Sequence, residues 1–438
     1  MPELRWLRIG DICSIEKGIT GLAAATPGEY PLVATGAERR SAQTYQFDTK
    51  AVCIPLVSSS GHGKKTLNYV HFQEGKFALG TILAAVIPKD KKVLDARYLH
   101  TYLKMNKDRV LVPLMRGAAN VSLSVSAISE INIPVPSLPE QKKALSKLDC
   151  MSGEHAELLL ETDKQLELLK QLRRQILQDA IEGKLTTDWR KKNPALITGE
   201  NHASKLLEKI KSEKSRLIQQ GKLKKEKTLP PITEAEKPFP LPEGWTWCRL
   251  GDVCSKIGSG STPKGSNYAT TGIPFFRSQN VHDYGIVNDD IKFISSDVHV
   301  QMDGTRVLPG DLLLNITGGS IGRCSIVPLE VKEGNVSQHV CIIRVIYLLN
   351  GFLHELILSP LFQKKIFQST TGSGREGLPK YNLEQFVIPL PPLEEQSIIS
   401  LQIEKLTSSL ELLEKQVSER KNQSEMLMQS VLREAFER

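Results

Sequence analysis

Six loops carry the side chains best suited to chemistry in this chain. They are VATGAERR (33–40), VSSSGHGKK (57–65) and LMRGAAN (114–120) in the first part, and FFRSQN (275–280), NITGGSIGR (315–323) and TTGSGREG (370–377) in the second. Glycine lets a backbone approach another surface closely, while Arg, Lys, Asn, Gln and Ser supply the donors and acceptors that hold phosphates and read base edges. Arg against a guanine edge, and Asn or Gln against adenine, are the favoured pairings. The candidate nucleic-acid contacts are Arg39, Arg40, Lys64, Lys65, Arg116, Lys264, Arg277, Arg323 and Arg375. Taken singly, each loop is an ordinary surface turn. Their recurrence at matching places in two halves favours binding.

Catalytic patterns are not found among these residues. SSSGHGKKT (58–66) resembles a phosphate-binding loop but lacks the first glycine at the required offset. There is no H-E-x-x-H, no Cys/His ligand spacing and no G-x-S-x-G; the nine histidines are scattered. Glu330-Val331-Lys332 matches the E-x-K of metal-dependent nucleases, yet no Pro-Asp strand precedes it. The reading is a non-catalytic chain without a metal site of its own. Seven cysteines form no C-x-x-C pair, and Cys13 and Cys254, in matching GDIC and GDVC contexts, read as small buried hydrophobes in a reducing compartment.

The elements that position the loops come in duplicate. INIPVPSLPEQ (131–141) is nearly repeated as FVIPLPPLEEQ (386–396). Each reads as a strand end stopped by Pro-x-Pro and followed by a helix start, with Ser137 and Glu140 fitting a capping box. WLRIGDICSIEKG (6–18) likewise answers WCRLGDVCSKIGSG (247–260), and EGKFALGTILAAVIP (74–88) answers EGNVSQHVCIIRVIY (333–347). Short β-rich runs separated by Gly/Ser/Asn turns, with one helix before each hinge (95–109 and 351–367), predict two α+β domains. After each hinge runs a heptad pattern. The seam positions are Leu148, Met151, His155, Leu158, Leu169, Leu172 and Ile176 in the first helix, with Ile403, Leu406, Leu410, Leu413, Val417, Leu427 and Val431 in the second. An apolar stripe on a lone helix is unstable, so the two should pair, and antiparallel pairing suits one domain at the root of each. At His155 and Thr162 the other copy has Leu410 and Val417, which reads as a register device rather than a ligand site.

The expected organisation is therefore 1–138 and 246–392 as domains, 139–182 and 393–438 as spacer helices, and 183–245 as a basic linker. In that linker a short helix (203–220) should precede an extended, solvated tether. Net charge is +8, distributed as +6, −2, +7, 0 and −3 over 1–138, 139–182, 183–237, 238–392 and 393–438. That pattern permits a nucleic-acid partner without requiring one. No charged-then-apolar leader and no run of 18 apolar residues occurs, so a cytoplasmic protein with no membrane contact is expected.

The paired I-P-[LV]-P-x-L-x-E-Q hinges (133–141, 388–396), W-x-x-L-G-D (247–252), L-P-G-D-L-L-L with G-G-S-I-G (308–322), G-K-L-T-x-x-W-R (183–190) and F-P-L-P-E-G-W (239–245) resemble the specificity subunit of type I DNA restriction-modification enzymes over the full chain. The resemblance implies two tandem target recognition domains of mixed α/β type, joined by two long helices forming an antiparallel coiled coil. Each domain would read one half of a bipartite, asymmetric double-stranded DNA target. Two modification (methyltransferase) subunits would dock on the framework and bring S-adenosylmethionine, and restriction subunits would supply ATP- and Mg-dependent translocation and cleavage. No cofactor is then expected on this chain. Family members diverge where they meet bases, so the candidate DNA-binding residues rest on loop composition alone. Two other readings fit the residues: a coiled-coil adaptor whose end domains bind proteins, and a specificity chain serving a single-polypeptide restriction enzyme.

Overall fold

The computed structural model describes residues 5–23, 25–60, 63–118, 120–225, 227–263, 265, 268–370 and 377–437. Two compact units emerge: Met1–Lys164 with Val417–Arg438, and Gln165–Gln416. The cuts fall inside the long helices, because each helix packs at its two ends on different cores.

In the first unit, one four-stranded sheet runs Cys13–Lys17, Leu83–Pro88, Ala51–Pro55, His71–Gln73, and a second runs Arg40–Ala42, Tyr30–Val33, Lys76–Leu79, Phe47–Asp48. Side chains alternate across the first sheet, as the two-residue strand period demands. Val52, Ile54, Ala84 and Val86 face a core shared with Tyr98, Leu99, Tyr102 and Leu103 of helix Ala96–Val110. Ala51, Cys53, Leu83 and Ala85 face the second sheet through Val33, Phe47, Phe77 and Leu79. The result is helix on sheet on sheet.

The second unit repeats both four-stranded sheets in the same order. Its sheets run Cys254–Ser259, Val340–Val345, Leu312–Asn315, Cys324–Ile326 and Lys292–Ile294, Ile273–Phe276, Gly334–Val336, Arg306–Val307. Even the one parallel pairing recurs, Tyr30–Val33 with Lys76–Leu79 and Ile273–Phe276 with Gly334–Val336. Leu312, Leu314 and Ile343 face helices; Leu313, Val340 and Ile342 face the other sheet. Cys13 and Cys254 are buried, and burial pushes the Cys13 thiol up to about 12. Among the described residues no helix is long and apolar enough to cross a membrane.

Each hinge is a strand welded to a helix. Arg5–Arg8 pairs antiparallel with Asn132–Val135, and Thr246–Arg249 with Val387–Leu390, so that Trp6 faces Pro134 and Trp247 faces Pro389. The long helices follow at once, Leu138–Ile181 and Leu393–Glu437. Glu140 caps the first by accepting from the Ser137 N–H at 2.9 Å and its hydroxyl at 2.7 Å. Next along, Gln141 is fully buried; its amide donates to Val93 O and Pro136 O and accepts from Asp95 N–H, each at 2.8 Å. Gln396 repeats this with Pro391 O and Leu349 N–H, both at 3.0 Å. A buried amide so satisfied fixes helix direction relative to the sheet.

The helices run antiparallel. In the first unit His155 Nδ1 lies 2.7 Å from Ser424 Oγ, and Lys421 reaches Asp163 at 2.8 Å; in the second, Arg173 reaches Glu411 at 3.2 Å. Within the first unit numbers rise on one helix as they fall on the other, and Lys147 pairs with Glu434, the order of antiparallel packing. Leu148, Ile176, Ile403, Leu410, Val417 and Val431 are buried, as is Thr162, while Met151, His155, Leu158, Leu169 and Leu406 are half-buried. Three expected seam residues are instead exposed: Leu172 (48%), Leu413 (46%) and Leu427 (59%). The row through 148, 155, 162, 169 and 176 meets the row through 403, 410, 417, 424 and 431, and these three belong to the heptad row beside it.

The linker's helix packs on the second unit, while the stretch after it is mostly exposed and is pinned at a few points. Helix Ala203–Gln219 buries Ala203 and Ile210, and Leu206, Leu207 and Leu217 join the core of the second unit. Beyond it, Arg249, 2% exposed, donates to the carbonyls of Pro230 and Pro231 and pairs with Glu236. G-K-L-T-x-x-W-R closes a clasp on the hinge. Glu395 is fully buried and accepts from Thr186 Oγ1 (2.5 Å), Arg190 Nη1 (2.5 Å) and Trp245 Nε1 (2.8 Å), while Arg190 Nη2 donates to Gly183 O. Gly183 has φ +70°, and a Cβ there would meet Pro242 at 2.6 Å. Of the linker helix's lysines, Lys205, Lys209 and Lys211 are exposed, and Lys214 donates to Gly251 O at 2.7 Å, so the helix packs through its apolar stripe.

This packing sets two expectations for stability. Arg190→Ala leaves the Glu395 carboxylate buried and unpaired, which should cost about 3–5 kcal/mol in chemical denaturation followed on the second unit; a destabilisation below about 1 kcal/mol would mean the clasp is ornamental. Glu355, packed against the second long helix and bonded by Ser400 Oγ at 3.2 Å, is pushed up to about 7, first by burial and then by the charge of Glu404. Its folded form holds the proton more tightly than the unfolded chain, whose carboxyl ionises near 4.5. Stability present below that pH is therefore lost as pH rises through about 7. Thermal melting between pH 5 and 8 should fall accordingly, and Glu355→Gln should flatten that fall.

Candidate nucleic-acid interface

In the first unit a short ladder brings two of the predicted loops together. Ser58 N–H bonds Val121 O at 3.0 Å, Leu123 N–H bonds Leu56 O at 2.9 Å, and Arg116 and Ser122 exchange backbone bonds of 2.8 Å. The loop that follows strand Ala51–Pro55 is cross-tied by Ser58, whose hydroxyl accepts from Thr66 N–H and donates to Lys64 O. Gly117 has φ +123°, and a Cβ on it would sit 2.2 Å from Asn120 O, so only glycine suits this turn. Lys64, Lys65 and Arg116 therefore project, exposed, from neighbouring loops on a braced backbone.

The second unit has the same loop pair. Thr317 bridges Gly377, and Leu378 N–H bonds Ile316 O at 2.8 Å. Buried Asn315 donates to Ser278 O at 2.8 Å and to Ser320 Oγ at 3.2 Å, tying FFRSQN to NITGGSIGR. Arg323 projects exposed from this loop. Lys264 and Arg375 lie outside the described residues.

Two predicted DNA-binding residues also make contacts within the fold. Arg39 spreads its guanidinium over strand His71–Gln73: Nε donates to Gln73 Oε1 (2.9 Å), Nη2 to Phe72 O (3.2 Å), and Nη1 meets His71 Nδ1 (3.2 Å). Burial first, and then the Arg39 charge, lower the His71 pKa to about 4, so that ring is neutral and accepts a hydrogen bond from the guanidinium. Arg277 Nη2 donates to Asp290 O (2.6 Å) and Oδ2 (2.9 Å), bracing a turn in which Asp290 takes φ +51°. Lys292 first, then Arg277 and Gln279, hold the Asp290 carboxyl well below the usual range. Loop composition marks cations but not which way they fold, and a nearby His or Asp in sequence gives no warning. Arg40 stays exposed.

What sequence reasoning missed is the buried polar support: Gln141 and Gln396 at the helix roots, and Asn315 beneath the second loop pair. The repeated E-Q was a usable signal; Asn315 had none. Among the described residues no group of three His, Cys, Asp or Glu is placed to hold a metal ion.

Such an interface should behave electrostatically. Replacing Lys64, Lys65 and Arg116 together by alanine should weaken duplex DNA binding by the assembled complex on every sequence. It should also lower the slope of log affinity against log salt by about 1 for each phosphate no longer neutralised. An unchanged salt slope would remove these loops from the interface.

Known proteins resemble this chain in both sequence and fold. The family model described as "Type I restriction modification DNA specificity domain" matches residues 4–173 and 242–420. The Escherichia coli type I restriction enzyme EcoAI specificity subunit is 30% identical over 263 residues, 58% of this chain and 42% of that protein. The chain thus aligns with less than half the length of that relative. The E. coli EcoDI specificity subunit is 23% identical over 99% of this chain and 88% of its own length. Among solved structures, a chain from work on complex assembly and conformational transition of the type I R-M system has a TM-score of 0.65 at 17% identity, covering 100% of this chain and 98% of its own. The HsdS subunit from Thermoanaerobacter tengcongensis has a TM-score of 0.58 at 17% identity, covering 100% and 97%. At such identity the structures speak to fold.

Proposed function

The chain belongs to the type I restriction-modification DNA specificity family, and from that membership we propose that it is the non-catalytic subunit that selects a bipartite, asymmetric DNA target. Each unit reads one half-site through its pair of braced, cation-bearing loops. The paired helices set the gap between the halves and give modification subunits a framework on which to dock. S-adenosylmethionine, ATP and magnesium belong, on this reading, to the modification and restriction subunits.

The observation that carries the reading is internal. Both units repeat the two four-stranded sheets, yet the loop after the equivalent strands Ala51–Pro55 and Leu312–Asn315 carries Lys64 and Lys65 in one and Arg323 in the other. A repeated scaffold with unlike loops suits two different half-sites on one duplex. Rigid attachment of each domain to its helix, through Gln141 and Gln396, suits a fixed gap. The adaptor alternative is not favoured, since the matching relatives are specificity subunits.

Inserting four residues into one long helix adds about 6 Å of rise. Sequencing of methylated adenines in cells carrying the complex should then show an altered number of unread base pairs, with both half-site sequences kept. Altered half-sites with an unchanged gap would contradict the spacer role.

A further inference from the structure

The two units differ most at one place. Between the strands Tyr30–Val33 and Arg40–Ala42 the first unit has residues 34–39, whereas between the equivalent Ile273–Phe276 and Lys292–Ile294 the second has residues 277–291. The longer segment folds into a hairpin, Val281–His282 with Gly285–Ile286, capped by Asp283 and Tyr284. Its first-unit counterpart is VATGAERR, one of the predicted binding loops.

This hairpin is built to stay in place. Val281 is fully buried in the core with Leu313, Val327 and Val340. Asn280, also fully buried, donates to Val287 O (3.0 Å) and Asp289 O (3.2 Å), and Val287 N–H returns a 2.8 Å bond to Asn280 O. At the tip, Asp283 Oδ1 accepts from Cys324 N–H at 3.1 Å, which fastens it beside the loop bearing Arg323. His282 Nε2 lies 3.0 Å from Gln279 O, which fixes the ring tautomer with its proton on Nε2. On this scaffold Tyr284 is 82% exposed, its ring stacked on His282 at 5.1 Å and 28°.

A large aromatic side chain held outward by a fully braced hairpin has no use in the fold. We infer that Tyr284, backed by His282, is a specificity-determining residue for the half-site read by the second unit, packing its ring face on a thymine methyl group. The inference rests on the reading of that unit as a half-site reader. An aromatic face offers apolar contact to thymine in the major groove, and the stacked imidazole lowers the entropy cost of immobilising the ring. Residues 238–392, which carry this hairpin, have no net charge, which makes such non-ionic readout all the more useful.

The test uses the full chain assembled with its modification subunits, on a library of duplexes randomised in each half-site. Tyr284→Ala should bind the target about tenfold more weakly, a value typical of one base-pair discrimination, and relax the preference at one or two adjacent positions of one half-site only. Tyr284→Phe keeps the ring and should keep the preference. Full retention of specificity in Tyr284→Ala, with an unchanged thermal melt, would overturn the inference, as would a weakening equal on all sequences. If the wild-type complex shows no bipartite preference at all, the half-site reading itself fails, a result distinct from failure of Tyr284.

Discussion

One buried amide at the root of each long helix is the constraint on which the rest depends. Gln141 and Gln396 are each fully buried in the first turn of a helix more than forty residues long, bonding the Pro-x-Pro carbonyl behind them and the backbone that leads into the domain's own helix. A proline-stiffened strand alone would leave the helix free to swing. An unsatisfied buried amide costs about 1–3 kcal/mol, so any swing large enough to break these bonds is opposed. The helix thus becomes an extension of the sheet domain, and whatever the helix pair fixes, the domains inherit.

Downstream of that weld, stability and reading are kept apart. Apolar alternation across the two sheets of each unit builds the core, and identical topology in both units shows how little that core depends on the loops. The helix pair is held by a single inward row with His155, Thr162 and Ser424 among its aliphatics. Polar groups in a seam lower stability but penalise slipped registers, since a shift would bury them against leucine. Its shoulder leaves Leu172, Leu413 and Leu427 exposed. The clasp of Arg190, Thr186 and Trp245 on Glu395 fastens the start and end of the linker to the second unit.

Much of this was legible from residues alone. The duplicated hinge, the matching G-D-[IV]-C strands and the heptads declared two α+β domains with paired helices, because each is a pattern that local physics reads directly. The linker's packing was not legible: Ile210 and Leu206 occupy the apolar stripe of a helix whose lysines dominate its composition, and the surface it covers lies far away in sequence. Leu172 escaped for a related reason, as a stripe of heptad leucines does not reveal which of its two rows turns inward. At the loops, Arg39 and Arg277 also meet His71 and Asp290, contacts made by tertiary approach that loop composition does not reveal. Lys64, Lys65, Arg116 and Arg323 stay outward, as loop composition suggested.

The central claim is tested most directly by genome-wide mapping of adenine methylation in a host that carries the modification subunits, with and without this chain. The predicted result is a new motif that appears only with the chain. That motif should be two unlike specific halves separated by a fixed run of unspecified bases, with a methylated adenine in each. A continuous motif, a variable gap, or methylation indifferent to the chain would contradict it.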